Sequence, residues 1–211
     1  MANAGDRLII VGTGALAAEL VGYVHENAAA GGGSQYQIKG MTGIDPGGLD
    51  AYDLDVEWLG HQDDVALEPG DRVIVAIGGK VRRRVIALMA GRGAVFGNFV
   101  HHTAIVSGSA RMGTGNLVAP FCFVGPKATI GDHNLLNYRV TAAHDVSLAD
   151  EIVLCPSVTL CGHVRIGSGA FVGTGASLLP NSELPENAKL KAGAILYTDH
   201  SVPEGSLVLP V

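Results

Sequence analysis

A single apolar residue recurs at every sixth position through the second half of this 211-residue chain, from Val100 to Leu196. Seventeen consecutive positions keep this frame, and a second set of mostly small or β-branched residues follows four positions after the first. A period of six matches neither an α-helix, which repeats every 3.6 residues, nor a lone strand, which repeats every two. It is typical of a β-solenoid in which each hexapeptide forms one short strand and one tight turn, often with glycine at the turn.

The residues before Val100 follow a different pattern, in which short apolar runs alternate with segments of helical periodicity. The predicted strands are 7–11, 36–44, 56–59, 71–77 and 93–99, and the predicted helices are 15–27, 63–67 and 80–92. A turn is expected at Pro46-Gly47-Gly48. Alternation of strands and helices indicates a small parallel α/β domain. The change of period places the domain boundary between residues 1–99 and residues 100–211.

The charge and cysteine content exclude several classes of partner. The net charge is −6, the pI is about 5.7 and no basic run occurs, which argues against nucleic acid or an anionic membrane as a partner. No apolar run reaches the roughly 18 residues of a membrane span. Cys122, Cys155 and Cys161 lack metal-binding spacing, and Cys122 is expected to be a small buried hydrophobe. An odd cysteine count and the lack of a signal peptide favour the reducing cytoplasm.

A glycine-rich turn joins the first predicted strand to the first helix. In Gly12-Thr13-Gly14 the glycines would let a phosphate approach the backbone at the helix N-terminus. Ala17 replaces the third glycine of the dinucleotide fingerprint, so a plain tight turn is an equal alternative. Asp45 closes the second strand, where an acid commonly binds a ribose hydroxyl, and its alternative role is to cap the turn at Pro46.

These features together resemble the hexapeptide-repeat sugar acetyltransferases of the sialic acid O-acetyltransferase and bacillosamine or perosamine N-acetyltransferase type. The matching segments span nearly the whole chain and are 9–16, 43–45, 75–78 with 82–84, 100–101 with 104–107, 143–145, 160–162, 179–181 and 193–196. The resemblance implies a Rossmann-like lobe that binds a nucleotide-linked sugar, followed by a left-handed parallel β-helix that binds acetyl-CoA. It also implies a homotrimer, and three hexapeptides in each triangular coil.

The same resemblance assigns candidate site residues. His144 and Asp145 match the family's histidine–acid pair, in which histidine is the general base and the acid orients it, although position alone would indicate a solvated surface histidine. The predicted sugar-nucleotide contacts are Gly12, Gly14, Ala15, Leu16, Asp45, Pro46 and Gly78, with Asn137 as a polar contact in the site. The predicted CoA contacts are Val153, Gly162, Thr174 and Ala192, and the missing side chain at Gly162 is expected to leave room for the pantetheine arm.

The sequence therefore predicts an acetyl-CoA-dependent N-acetyltransferase that acts on an amino group of a nucleotide-linked sugar without a metal. O-acetylation of a sugar hydroxyl by the same base and a non-catalytic trimeric scaffold are the alternatives. A γ-class carbonic anhydrase would need three zinc histidines across a subunit interface. His133 and His163 share a hexapeptide phase and could be stacked, but no carboxylate or cysteine spacing supports a metal between them. Leu16 and Val153 depart from residues common in the family.

Overall fold

The structure is a computed structural model that describes residues 6–31, 36–79, 81–198 and 202–209. The chain forms two compact units, Met1–His102 and Thr103–Val211. None of the helices in the described ranges is long and apolar enough to cross a lipid bilayer.

The first unit contains a four-stranded parallel sheet in which helices connect every pair of consecutive strands except the third and the fourth. Its elements are β1 (Arg7–Val11), α1 (Ala15–Ala29), β2 (Gln37–Gly43), α2 (Gly47–Ala51), β3 (Trp58–His61), β4 (Asp71–Val75), α3 (Val81–Gly91) and β5 (Phe99–Val100). The strand order is β3-β2-β1-β4, and each neighbouring pair is parallel. Parallel strands need crossover connections, which is why the sequence alternates strands with helices. The predicted α/β character is confirmed.

One apolar core cluster of the first unit combines residues of β1 and β4 with residues of α3. Ile9 and Val11 of β1 are fully buried, and they belong to one cluster with Val73 of β4 and with Val85 and Met89 of α3. A parallel strand that is covered on both faces must be apolar at consecutive positions, as in the Leu-Ile-Ile-Val run of β1.

Three details of the first unit differ from the sequence predictions. Residues 63–67 form no helix, and the N–H groups of Asp64 and Val65 instead bond to the carbonyl of His61 in a turn. The expected turn at Pro46 continues into the short helix α2, although glycine is a poor helix former. Gly48 of α2 packs so closely on the carbonyl of Thr13 that a side chain would not fit. Tertiary packing therefore favours the helical conformation of α2, which the helix propensity of its residues does not favour.

Of the predicted strand 93–99, only the end at Phe99 and an isolated bridge at Phe96 are extended.

The second unit is a parallel β-solenoid with three faces. Face A consists of β6 (Ile105–Val106), β9 (Phe123–Val124), β12 (Thr141–Ala142), β15 (Thr159–Leu160), β18 (Ser177–Leu178) and β21 (Ile195–Leu196). Face B consists of β7 (Arg111–Met112), β10 (Thr129–Ile130), β13 (Ser147–Leu148), β16 (Arg165–Ile166) and β19 (Glu183–Leu184). Face C includes β8 (Leu117–Val118), β11 (Leu135–Leu136), β14 (Val153–Leu154), β17 (Phe171–Val172), β20 (Lys189–Leu190) and β22 (Leu207–Val208). Each strand pairs in register with the strand 18 residues later on the same face.

The hexapeptide frame corresponds directly to the interior of the solenoid. From Val118 to Leu196, each frame position is the second residue of a two-residue strand and is buried, while most residues that precede them in their strands are more exposed. Side chains alternate between the two faces of a strand, so one residue of each pair must point inward. The prediction of a parallel β-solenoid is confirmed.

The corners of the solenoid bend through residues in the left-handed region of backbone conformation. In the described part of the solenoid, ten residues other than glycine have φ between 56° and 63° at equivalent corner positions. They are Phe121, Lys127, His133, Arg139, Asp145, Glu151, Ser157, His163, Asn181 and Asn187. This conformation costs a non-glycine residue about 1–2 kcal/mol. Because it recurs at corner after corner, its cause is the geometry of the coil, and it is not a special property of one site.

Two asparagines form a buried ladder inside the solenoid that the sequence pattern did not predict. Asn116 Oδ1 accepts a hydrogen bond of 2.7 Å from the N–H of Asn134, and Asn134 Oδ1 accepts one of 2.8 Å from the N–H of Ile152. The two side-chain amides donate to the carbonyls of Gly131 and Ala149. In each amide the oxygen accepts one hydrogen bond and the nitrogen donates one. A polar side chain can therefore occupy a buried position that holds a small or apolar residue in most coils.

Candidate active site

His144 and Asp145 lie at the corner between faces A and B, which we call corner AB. They follow β12, and Asp145 is the left-handed residue of the corner, with φ of 57°. The N–H of Asp145 bonds to the carbonyl of Pro126 in the neighbouring coil at 3.0 Å. The corner backbone is therefore held by the coil stack, and the imidazole projects from it with 57% of the side chain exposed.

The two side chains form the hydrogen bond that a histidine base requires. Asp145 Oδ2 lies 2.9 Å from Nδ1 of His144. An ionised carboxylate can only accept a hydrogen bond, so Nδ1 of the neutral imidazole carries the hydrogen and Nε2 carries the lone pair. The predicted histidine–acid pair therefore has its second ring nitrogen available to take a proton.

The electrostatics of corner AB keep Asp145 in the form that this arrangement needs. The hydrogen bond from His144 lowers the pKa of the Asp145 carboxyl below its ordinary value, despite an opposing contribution from partial burial. The charges of His163 and Lys127 act in the same direction. At neutral pH Asp145 is thus an ionised acceptor that fixes the tautomer and the orientation of the imidazole.

His163 is another ionisable side chain at corner AB. Its Nε2 lies 4.0 Å from the same Oδ2 of Asp145, and its ring meets the ring of His144 edge-on with centroids 5.3 Å apart. Residue 163 follows Asp145 by 18 positions and has the same left-handed conformation, so the coil repeat stacks the two residues. Ligand atoms of these three side chains all lie within 4.8 Å of one another, which is close enough to hold a metal ion.

The suggested stacking of His133 with His163 is wrong. The two residues share a hexapeptide phase but are 30 positions apart, which is not a multiple of the 18-residue coil. His133 therefore lies at the corner between faces B and C, where its ring covers Gly115. Residues that share a hexapeptide phase are divided among three corners. Two of them lie at the same corner only if their separation is a multiple of 18 residues.

Gly162 contacts the candidate base directly. A side chain at this position would meet Cε1 of His144 at 2.5 Å and Nε2 at 2.7 Å. The space that a Cβ would occupy is thus filled by the imidazole. Gly162 is needed for the position of His144, and a contact between this glycine and CoA stays a prediction.

The other predicted residues of the solenoid lie away from corner AB. Asn137, Thr174 and Ala192 occupy the corner between faces C and A, and Val153 lies in β14 on face C. Thr174 and Ala192 are 18 positions apart and exposed, and the N–H of Gly193 bonds to the carbonyl of Thr174. The side chain of Asn137 accepts a hydrogen bond from the N–H of Tyr138. The structure therefore does not place these residues against His144, and their roles stay predictions.

Two of the three cysteines, Cys122 and Cys155, lie at or beside the corner between faces C and A, and Cys161 lies at corner AB. Cys122 is buried as predicted, and its thiol lies 3.1 Å from the carbonyl of Asn137. Burial raises the pKa of Cys122 to about 11. A thiol of this kind stays protonated near neutral pH and is a poor nucleophile. Cys155 and Cys161 are also free thiols.

The glycine turn of the first unit lies at the carboxyl edge of its parallel sheet. Gly12 has φ of 126°, and a side chain there would meet the carbonyl of Ala76 at 2.7 Å, so this glycine is required by the fold. Gly14 precedes α1 and has no atom near the position of a Cβ. Gly78, which follows β4, is equally open. The two glycines of the turn thus differ. Gly12 packs against the backbone of Ala76, whereas Gly14 leaves the N-terminus of α1 accessible.

The acid at the end of β2 has a structural partner. Asp45 is exposed, and its Oδ1 accepts a hydrogen bond of 3.0 Å from the N–H of Gly47, which caps the turn into α2. Pro46 takes the position before α2. The capping role that the sequence left open is therefore present. Ala15 and Leu16 begin α1 beside the glycine turn, so the predicted sugar-nucleotide residues are gathered at one edge of the sheet.

Comparison with known proteins supplies structural neighbours only. The sequence matches no protein-family model and no curated protein. Among solved structures, PerB from Caulobacter crescentus, in complex with CoA and GDP-perosamine, is 27% identical with a TM-score of 0.81, and the alignment covers 95% of this chain and 92% of PerB. A mutant of GDP-perosamine N-acetyl transferase from the same organism is 24% identical with a TM-score of 0.81, with coverage of 95% and 91%.

The acetyltransferase domain of PglB from Neisseria gonorrhoeae, in complex with acetyl coenzyme A, is 22% identical with a TM-score of 0.79 and coverage of 96% and 95%. This chain has the architecture of the hexapeptide-repeat sugar acetyltransferases. The alignments span both units of the chain, not the solenoid alone. The resemblance predicted from the sequence motifs is thereby confirmed.

Proposed function

We propose that this protein transfers an acetyl group from acetyl-CoA to an amino group of a nucleotide-linked sugar, with His144 as the general base. The observation that carries the proposal is the 2.9 Å contact between Asp145 and Nδ1 of His144. This contact leaves Nε2 of His144 with a lone pair that can take a proton, in a fold shared with sugar acetyltransferases.

The solved neighbours support the reaction class and the co-substrate. PerB is bound to CoA and GDP-perosamine, and the PglB domain is bound to acetyl coenzyme A. This chain is accordingly an acetyl-CoA-dependent acyltransferase. Acetylation of nitrogen is favoured over acetylation of oxygen because the neighbour bound to GDP-perosamine is an N-acetyl transferase.

The proposed chemistry uses few groups. The neutral amine attacks the thioester carbonyl of acetyl-CoA, a C–N bond forms, and Nε2 of His144 takes the proton that leaves the nitrogen. The C–S bond then breaks, and CoA leaves as a thiolate that takes a proton from the imidazolium or from water. Asp145 stabilises the imidazolium because its carboxylate lies on Nδ1. No covalent enzyme intermediate is required.

The first unit is proposed to be a Rossmann-like lobe that holds the nucleotide of the sugar substrate. The glycine turn, Asp45 and Gly78 meet at the carboxyl edge of a parallel sheet, which is where nucleotides bind in sheets of this kind. Gly14 is the best-supported of the proposed nucleotide contacts, because its open Cβ position lets a phosphate approach the N-terminus of α1.

The solenoid is proposed to be left-handed and to trimerise, with CoA bound along Val153, Gly162, Thr174 and Ala192. Exposed apolar side chains on and beside face A support an assembly. Ile105 and Phe123 are paired neighbours on that face, with 65% and 39% of their surface exposed, and Phe121 at the adjoining corner is 64% exposed. Contiguous apolar surface of this kind marks interaction sites. Light scattering at micromolar protein concentration tests the trimer, and the mass of a single chain would contradict it.

A CoA-release assay with paired substrates tests the proposed reaction. Nucleotide-linked amino sugars and the matching hydroxy sugars are each incubated with acetyl-CoA, and free thiol is measured. Release with the amino sugars alone supports N-acetylation, while release with the hydroxy sugars alone would identify the O-acetyltransferase alternative. Binding of nucleotide sugar in a thermal-shift assay without release of CoA from any substrate would support the non-catalytic scaffold.

A further inference from the structure

His144, Asp145 and His163 together supply the donor set of a transition-metal site. Two imidazoles and a carboxylate are ligands that Zn²⁺ prefers, and three protein ligands leave a fourth position for water. One ligand atom from each residue lies within 4.8 Å of the others, and Asp145 Oδ2 is 2.9 Å from His144 Nδ1 and 4.0 Å from His163 Nε2.

These separations are close to those of a tetrahedral zinc site. Zinc bonds of about 2.0–2.2 Å at tetrahedral angles place ligand atoms about 3.3–3.6 Å apart. The two measured separations lie on either side of that range, each within less than 1 Å of it. All three side chains are exposed by a third or more, so small rotations about their side-chain bonds can close the site without movement of the core.

The solenoid holds the three residues in place for a ligand. The N–H of Asp145 bonds to the carbonyl of Pro126, the N–H of His163 bonds to the carbonyl of His144, and these bonds join consecutive coils. Residues 145 and 163 share the same left-handed corner conformation. The backbone of the three metal-coordinating residues is therefore ordered before any metal binds, and this lowers the entropic cost of binding an ion.

We propose that Zn²⁺ binds to His144, Asp145 and His163 at corner AB and, when bound, inhibits acetyl transfer. The inhibition rests on the proposed function, whereas the binding does not. Zinc bonded to Nδ1 takes the position of the hydrogen that now points to Asp145. That proton moves through solvent to Nε2, so His144 releases no net proton and loses the lone pair that the amine needs.

A substitution of His163 tests zinc binding separately from general-base catalysis, because His163 is a proposed zinc ligand and has no proposed role in proton transfer. The replacement His163→Asn keeps the corner geometry, since Asn181 adopts the same left-handed conformation one coil further on. His133→Asn is the matched control, because His133 has the same backbone conformation at a different corner. Lys127, one coil before Asp145, is a nearby cation whose charge acts on the carboxylate.

The test is a titration of the full chain, without a polyhistidine tag, with ZnSO₄ against a fluorescent chelator at neutral pH. We expect one zinc ion per chain, at least tenfold weaker binding in His163→Asn because a ligand is lost, and unchanged binding in His133→Asn. Lys127→Gln is expected to tighten binding by up to about fivefold, the size of a surface charge interaction.

In the same preparations, zinc is expected to inhibit CoA release by the wild-type chain over the concentration range in which it binds, and EDTA is expected to restore the rate. Equal zinc affinity in His163→Asn and the wild type, or no bound zinc at roughly 100 µM metal, would overturn the site. Zinc bound as expected in a chain with no transferase activity would instead reject the proposed function and leave the metal site intact.

Discussion

The imidazole of His144 lies over the backbone of Gly162, in the space that a side chain at residue 162 would fill. The two residues are 18 positions apart, so the solenoid repeat brings the catalytic candidate of one coil against the glycine of the next. The position of the candidate base thus depends on a residue that has no functional group.

Gly162→Ala is expected to displace the imidazole, because a Cβ would come within 2.5 Å of Cε1. A misplacement of about 1 Å can cost roughly 10²-fold in rate, and we expect a fall in kcat of up to that size. Gly108→Ala is the matched control, since Gly108 has the same corner position as Gly162 three coils earlier and an open Cβ position. Equal kcat values for both variants and the wild type would show that the His144 ring position does not limit the reaction.

His144→Ala is expected to lower kcat by about 10²–10⁴-fold, the range that general-base catalysis supplies. Binding of acetyl-CoA, measured by calorimetry, should remain, because the imidazole is proposed to contact the amine. Asp145→Asn should cost less, since Nε2 of His144 is still present and only its orientation and basicity change. Wild-type turnover in His144→Ala would place the base elsewhere or show that the amine needs none.

Gly14→Val and Gly12→Val are expected to fail in different ways. A Cβ at Gly14 would have no described atom within 4 Å, but the valine side chain would block the approach to the N-terminus of α1. KM for the nucleotide sugar should rise while the melting temperature and CoA affinity stay near wild type. Gly12→Val should unfold at a lower temperature, because a Cβ would meet the carbonyl of Ala76 at 2.7 Å and φ is 126°. A rise of KM for acetyl-CoA in Gly14→Val would contradict the assignment.

Asp71 is expected to make stability depend on pH below about pH 4. Its side chain is 2% exposed and forms ion pairs with Arg7 at 2.9 Å and with Lys39 at 2.8 Å. Burial alone would raise the pKa of Asp71, but the hydrogen bonds from Lys39 and from the N–H of Glu68, together with Arg7, lower it overall. A lowered folded-state pKa stabilises the fold above the unfolded pKa, and this stabilisation is lost as pH falls through the folded value. Urea unfolding of Asp71→Asn should therefore show a deficit at pH 7 that narrows under acidic conditions, whereas a deficit independent of pH would contradict the ionic role.

Asn134→Ala is expected to lower the free energy of unfolding by about 1–3 kcal/mol, the cost of leaving buried polar groups without partners. The N–H of Ile152 and the carbonyl of Ala149 would both lose the hydrogen bonds that the Asn134 amide now makes. Thr159→Ala, at an exposed position of face A, should change stability by less than about 0.5 kcal/mol. Equal denaturation midpoints for the two variants would show that the ladder contributes little.

Much of the solenoid could be read from the spacing of its apolar residues alone. A frame of six placed a strand at each step from Val106 to Leu196, because only a short strand and a tight turn return an inward position so regularly. The pairing of His144 with Asp145 was also predicted, since adjacent residues at a corner are close in any fold of this type. The spacing of strands and helices was sufficient to identify the α/β character of the first unit.

Other features depended on contacts that the sequence does not reveal. His163 and His133 share a hexapeptide phase, but residues of one phase occur at all three corners of the coil. The 18-residue coil repeat instead places His163 beside Asp145. Gly162 was predicted to leave room for CoA, which stays a prediction, and the structure adds that the His144 ring occupies the position of its missing Cβ. Helix α2 forms at a glycine-rich segment because Gly48 packs on Thr13. The repeat length of this chain thus determined which residues share a corner, and the tertiary structure decided which way their side chains point, since orientation depends on neighbours 18 residues away.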